Sequence, residues 1–60
     1  MREYKFELYK NGSEIDNFMC YKDCLAVAMD CAKCMLNENC DKVIIRCGED
    51  WEYDYVITND

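Results

Sequence analysis

Asn17–Leu36, NFMCYKDCLAVAMDCAKCML, is the stretch whose reading decides the fold. No Gly or Pro interrupts it, and it holds four of the six cysteines. At about 100° per residue, Cys20, Cys24, Val27, Ala28, Cys31 and Met35 fall in one stripe, flanked by Tyr21 and Cys34. Lys22, Asp23, Ala26, Asp30 and Lys33 take the other side. Apolar and thiol side chains against charged ones are the mark of an amphipathic helix, so the spacing predicts a helix over residues 17–36. Asp16 or Asn17 is its expected N-cap, and Asn37 or Asn39 its left-handed C-cap.

On either side of the helix the period changes from 3.6 to 2. Residues 3–10 alternate, with Tyr4, Phe6 and Leu8 on one face and Glu3, Lys5, Glu7 and Tyr9 on the other, as a half-buried strand does. Asn11-Gly12 tolerates positive φ and ends it. Residues 42–47, KVIIRC, set Val43, Ile45 and Cys47 on one face. Gly48-Glu49-Asp50 is a turn. Residues 51–58, WEYDYVIT, alternate Trp51, Tyr53, Tyr55 and Ile57 with Glu52, Asp54, Val56 and Thr58. Asn59-Asp60 is expected to fray.

The expected fold is therefore α+β, one domain over residues 1–60. It is a two-layer βαββ sandwich with one helix on a three-stranded sheet. A right-handed crossover and a hairpin of the last two strands favour an antiparallel sheet of order 1-3-2. Order 1-2-3, with a parallel pair, is the alternative. The face away from the helix carries Lys5, Glu7, Tyr9, Ile44, Arg46, Glu52, Asp54 and Val56. Tyr9, Ile44 and Val56 could seed an interface there, and the sheet edges invite a homodimer.

Sixty residues lie near the lower limit for independent folding, where a core supplies roughly 3–5 kcal/mol. Thirteen acidic against seven basic residues leave a net charge of −6. That charge disfavours direct contact with nucleic acid and suits the basic surface of a larger protein, although it also serves solubility. MREYKFELYK has no apolar run, so neither a signal peptide nor a membrane span is expected. A reducing cytoplasm is the expected compartment.

The cysteines stand at positions 20, 24, 31, 34, 40 and 47. Reduced cysteine packs as a small hydrophobe, and small residues suit a helix lying on an aromatic sheet. A four-thiolate zinc site is the alternative: Cys31 and Cys34 form a C-x2-C pair that Cys40 and Cys47 could complete. A Cys34–Cys40 disulfide is feasible, whereas Cys20 and Cys24 on one helix face have poor bridging geometry. Cys31 lies too deep in its helix for dipole activation as a redox thiol.

The residue inventory argues against catalysis. There is no His, hence no Ser-His or Cys-His pair. Two isolated glycines make no phosphate loop. Glu49, Asp50, Glu52 and Asp54 cluster at the hairpin but match no calcium-binding loop, and no deep cleft is expected under one helix. The expected function is non-enzymatic protein binding without a cofactor. Its surface would be Glu49, Asp50, Trp51, Glu52 and Asp54 at the hairpin, with Tyr9, Ile44 and Val56 on the open face. In size, acidity and element order the chain resembles the small accessory proteins by which phages inhibit host defence, anti-CRISPR proteins among them. The resemblance implies an inhibitor seated on a basic nucleic-acid-binding surface. A structural zinc module and an oligomeric subunit paired through its sheet are the rival expectations.

Overall fold

The computed structural model describes residues 1–59, so the fray expected at Asp60 lies outside the described residues. Strand β1 runs over Arg2–Lys10, β2 over Ser13–Lys22, helix α1 over Leu25–Met35, β3 over Lys42–Cys47 and β4 over Tyr53–Thr58. A single 3₁₀ turn, Glu49–Trp51, joins the last two strands. One helix lies on one antiparallel sheet, as expected of an α+β chain, but the sheet has four strands in the order β2-β1-β3-β4.

The added strand comes out of the front half of the expected helix. Asn11 and Gly12 have φ of 53° and 82°. Two consecutive positive values make the tight turn whose twist matches a β-hairpin. The chain therefore folds back along β1, pairing Phe6 with Phe18 and Tyr4 with Cys20. The register slips once, between Leu8 and Tyr9. This extra reversal also corrects the strand order. With β2 interposed, the chain leaves α1 in the direction that lets β3 lie antiparallel beside β1, pairing Phe6 with Ile45 and Leu8 with Val43. The expected 1-3-2 order of the three recognised strands is thus replaced by 1-2-3, without the parallel pair attached to that alternative.

The helix begins eight residues later than expected. Cys24 is the N-cap, in extended conformation and with no side-chain cap bond, so neither Asp16 nor Asn17 caps it. Leu36 closes it, also extended. Neither Asn37 nor Asn39 is left-handed. Instead Asn37 and Cys40 exchange backbone hydrogen bonds of 3.0 and 3.2 Å, and Asn39 N–H donates to Asn37 Oδ1 at 2.6 Å.

The buried stripe is turned by about one residue from the expected one. Ala28 and Ala32 are fully buried, Leu25, Met29, Cys31, Met35 and Leu36 pack partly around them, and Val27 and Cys24 face solvent. Small residues do face the aromatic sheet: the fully buried Ala28 and Ala32, with Cys31 packed partly beside them. The sheet side of the core is Tyr4, Phe6, Val43, Ile45 and Ile57, with Cys40 closing one end. Phe6 stacks on Phe18 of the edge strand, ring centroids 5.5 Å apart. Among the described residues no helix is long and apolar enough to cross a membrane.

Candidate functional site

A helix about 10 Å across cannot roof four strands set about 4.8 Å apart. The uncovered end of the sheet, beyond the start of α1, is an open cleft of about 880 Å³. Its floor and wall are Tyr4, Leu25, Cys47, Tyr53 and Tyr55, and its rim is Arg2, Glu3 and the turn Gly48–Trp51. The pairing of β1 with β3 brings the start of the chain next to residues 47–55, a meeting that no local pattern announces.

The turn that builds the rim has an unusual backbone. Gly48 has φ of 88°, and a Cβ placed there would stand 2.8 Å from Tyr53 Cδ2. Both the dihedral and the ring packed over it call for glycine. Asp50 and Trp51 are also left-handed, at 56° and 57°. A bulky side chain pays for that conformation with about 1–3 kcal/mol of strain. Trp51, half-buried, thereby lies on the cleft and not in β4, which starts two residues after it.

Charge on the rim is uncompensated. Among the described residues, Glu7 and Asp54 are the only carboxylates in an ion pair. Glu3, Glu49 and Asp50 line the cleft without one, and Arg2 is the only cation of the lining. Below them Tyr4 is almost fully buried, and burial pushes its phenol above the ordinary value, with Arg2 acting in the opposite sense.

The opposite face of the sheet is arranged differently. Glu7 is only 7% exposed. Arg46 Nε donates to its Oε1 at 2.9 Å, Lys5 Nζ lies 3.7 Å from Oε2, and the Tyr9 hydroxyl donates at 3.3 Å. Arg46 reaches on to Asp54 at 3.8 Å, and Lys42 Nζ sits 4.7 Å from the centre of the Tyr9 ring. Desolvation, then the nearby carboxylates Glu7 and Glu14, raise the Tyr9 pKa. The hydrogen bond to Glu7 holds that of Arg46 up.

The eight binding residues expected from the sequence therefore separate into two groups. Glu49, Asp50 and Trp51 meet at the cleft, and Glu52 follows them as the last residue of the turn. Asp54, Tyr9, Ile44 and Val56 lie on the other face, where Ile44 pairs with Val56 and Arg46 with Asp54. Tyr53, Tyr55 and Tyr4 were legible as apolar-face residues, but nothing local marked them, or Leu25, as cleft lining. The expectation was of no deep cleft, and this one is open on one side.

The cysteines do not converge. All six are free: Cys24 and Cys34 exposed, Cys20, Cys31 and Cys47 intermediate, Cys40 buried. The Cys40 thiol donates to the Lys42 carbonyl at 3.4 Å. Burial raises the pKa of Cys20. Among the described residues no three Cys, Asp or Glu side chains are grouped closely enough to hold a metal ion, so Cys31, Cys34, Cys40 and Cys47 do not come together as a four-thiolate set. No family model, no curated protein and no solved structure matches this chain.

Proposed function

We propose that the chain is a non-enzymatic, acidic protein-binding domain that seats on a basic surface of a larger protein, in the manner of a phage-type inhibitor of the anti-CRISPR kind. One observation carries the reading: among the described residues, the acidic side chains outside the Glu7 network make no internal ion pair, and Glu49 and Asp50 stand at an exposed aromatic cleft. Charge left uncompensated in the free protein is available to a partner. Since it is of one sign, it steers association with the opposite sign. A nucleic-acid-binding groove is the basic surface such a domain would occlude. Six free thiols fit a reducing cytoplasm. Contact with nucleic acid or with a membrane forms no part of the reading.

The test is capture from host lysate, with duplex DNA as competitor and a salt series. The expected partner is a nucleic-acid-binding protein released both by the DNA and by raising salt from about 0.05 to 0.5 M, since screening shortens the reach of exposed charge. A complex indifferent to salt, or one that survives joint neutralisation of Glu49, Asp50, Glu52 and Asp54, overturns the proposal.

A further inference from the structure

The cleft has the chemistry of a receptor for one particular side chain. We propose that it receives the guanidinium of an arginine projecting from the partner's basic surface, an inference that rests on the reading of the chain as an acidic protein-binding domain. Its volume, about 880 Å³, falls within the roughly 300–1,000 Å³ typical of small-ligand sites, and its open side admits a side chain still attached to a folded protein.

Two features select arginine. Trp51, Tyr53 and Tyr55 offer aromatic surface along one wall, and a cation over such rings is attracted by their negative faces, tryptophan most of all. Glu49 and Asp50 supply carboxylates against the single positive charge of Arg2, so the charged side chains on the cleft are net negative. A guanidinium uses both features at once. Its flat face stacks on the rings while its edge donates paired N–H bonds to carboxylates. A lysine ammonium is compact and strongly hydrated, and must give up more of its water to enter an aromatic wall. The opposite sheet face offers no equivalent, because Lys5 and Arg46 already neutralise Glu7.

The cleft is also held in place. The Gly48 dihedral and the Tyr53 ring packed on it set the turn beside the aromatic wall in the free chain. Such preorganisation lowers the cost of binding.

The test uses two capped peptides of equal charge, hexa-arginine and hexa-lysine, titrated into the whole chain at low salt. Trp51 is the only tryptophan, so its fluorescence reports the cleft directly, and calorimetry gives the affinity. Hexa-arginine is expected to bind at least fivefold tighter than hexa-lysine, to change Trp51 emission saturably, and to shift amide resonances mainly in residues 2–4 and 47–55. Trp51→Gly should weaken hexa-arginine about tenfold and erase its advantage over hexa-lysine. Asp50→Asn, which keeps a residue tolerant of the left-handed backbone, should weaken it about threefold. Glu38→Gln, away from the cleft, should change it less than twofold. Equal affinities with shifts spread over the whole surface overturn the arginine site and leave the acidic-domain reading standing. Failure of both peptides to bind overturns that reading as well.

Discussion

On the face of the sheet away from α1, Glu7 is enclosed by Lys5, Tyr9 and Arg46, and Arg46 reaches on to Asp54. At the open end of the helix-covered face, Glu49 and Asp50 stand at a cleft and, among the described residues, pair with no cation. The first arrangement satisfies its charges within the chain and can only stabilise it. The second leaves charge and aromatic surface unspent in the free protein. Acidity alone would not tell these regions apart; the pairing of each carboxylate does. Substitutions on the outer face should therefore change stability and spare binding, and substitutions at the cleft should do the reverse.

The residues that hold both regions together should show the largest effect. Phe6 and Glu7 are neighbours on β1 that face opposite sides, and Phe6 is fully buried against Phe18 and the helix. Phe6→Ala should cost about 3–5 kcal/mol, comparable with the roughly 3–5 kcal/mol a core of this size supplies. The variant should have no cooperative thermal transition by circular dichroism at 25 °C and above. A cooperative melt close to the parent's would mean that the helix and sheet are held by something other than this core.

Arg46→Met should come next. It removes the 2.9 Å hydrogen bond to Glu7 and leaves a buried carboxylate with Lys5 and Tyr9. Orphaning a buried charge is costly, but the Arg46 side chain is about one-third exposed, so screening reduces the loss to about 1–2 kcal/mol. Urea unfolding should show a lower midpoint at unchanged slope, with hexa-arginine affinity within twofold of the parent. A tenfold loss of affinity would merge the two regions into one.

Much of this was legible before the structure, and the part that was not has a definite cause. β3 was read with its observed bounds, β1 within a residue and β4 within two: β1 and β3 each bury an apolar face in a clean period of two, and β4, though it buries only Ile57, alternates its apolar residues as cleanly. β2 is an edge strand with no fully buried residue. Its sequence, SEIDNFMCYK, therefore shows no apolar alternation, while Cys20 and Cys24 continue the helical spacing of Cys31 by chance. That coincidence pulled the helix start back and turned the stripe from Ala32 toward Val27. A signal was present all the same: Asn-Gly after an alternating strand is the strongest short mark of a hairpin. The cleft was legible only as its turn. Its other wall comes from residues 2–4, and no local pattern encodes their placement beside residues 47–55.

Alkaline pH sharpens the comparison because both regions contain a phenol that resists ionisation. Tyr4 under the cleft, Tyr9 on the outer face and Cys20 at the edge strand all have raised pKa values, with desolvation the leading cause in each. The folded chain keeps these protons to higher pH than the unfolded chain does. Stability is then fully present below the ordinary thiol and phenol values, roughly 8.5 and 10, and declines as pH rises through and beyond them. Tyr4→Phe should flatten the decline equally at low and high salt, since burial dominates its shift. For Tyr9, Glu7 and Glu14 add to desolvation, so Tyr9→Phe should flatten it more at low salt than at high. Identical salt behaviour of the two variants would show that the outer-face carboxylates do not act on Tyr9.

The smallest effect on stability is expected where the effect on binding is largest. Trp51 is left-handed, at φ of 57°, and Trp51→Gly exchanges strain of about 1–3 kcal/mol for lost contacts and roughly 0.5–1 kcal/mol of extra chain entropy in the unfolded state. These terms oppose one another, so stability should stay within about 1 kcal/mol of the parent, a shift in melting midpoint of no more than about 8 °C. A core tryptophan of the same size would behave like Phe6, with loss of folding on truncation. Differential scanning calorimetry of Trp51→Gly beside Phe6→Ala therefore decides which kind of residue Trp51 is. If Trp51→Gly melts with Phe6→Ala, the cleft is a seam of the core and its exposed aromatic wall has a structural role. If it melts with the parent and no longer discriminates arginine from lysine, the strain at Trp51 is held by the rest of the fold for the sake of a surface the free protein does not need.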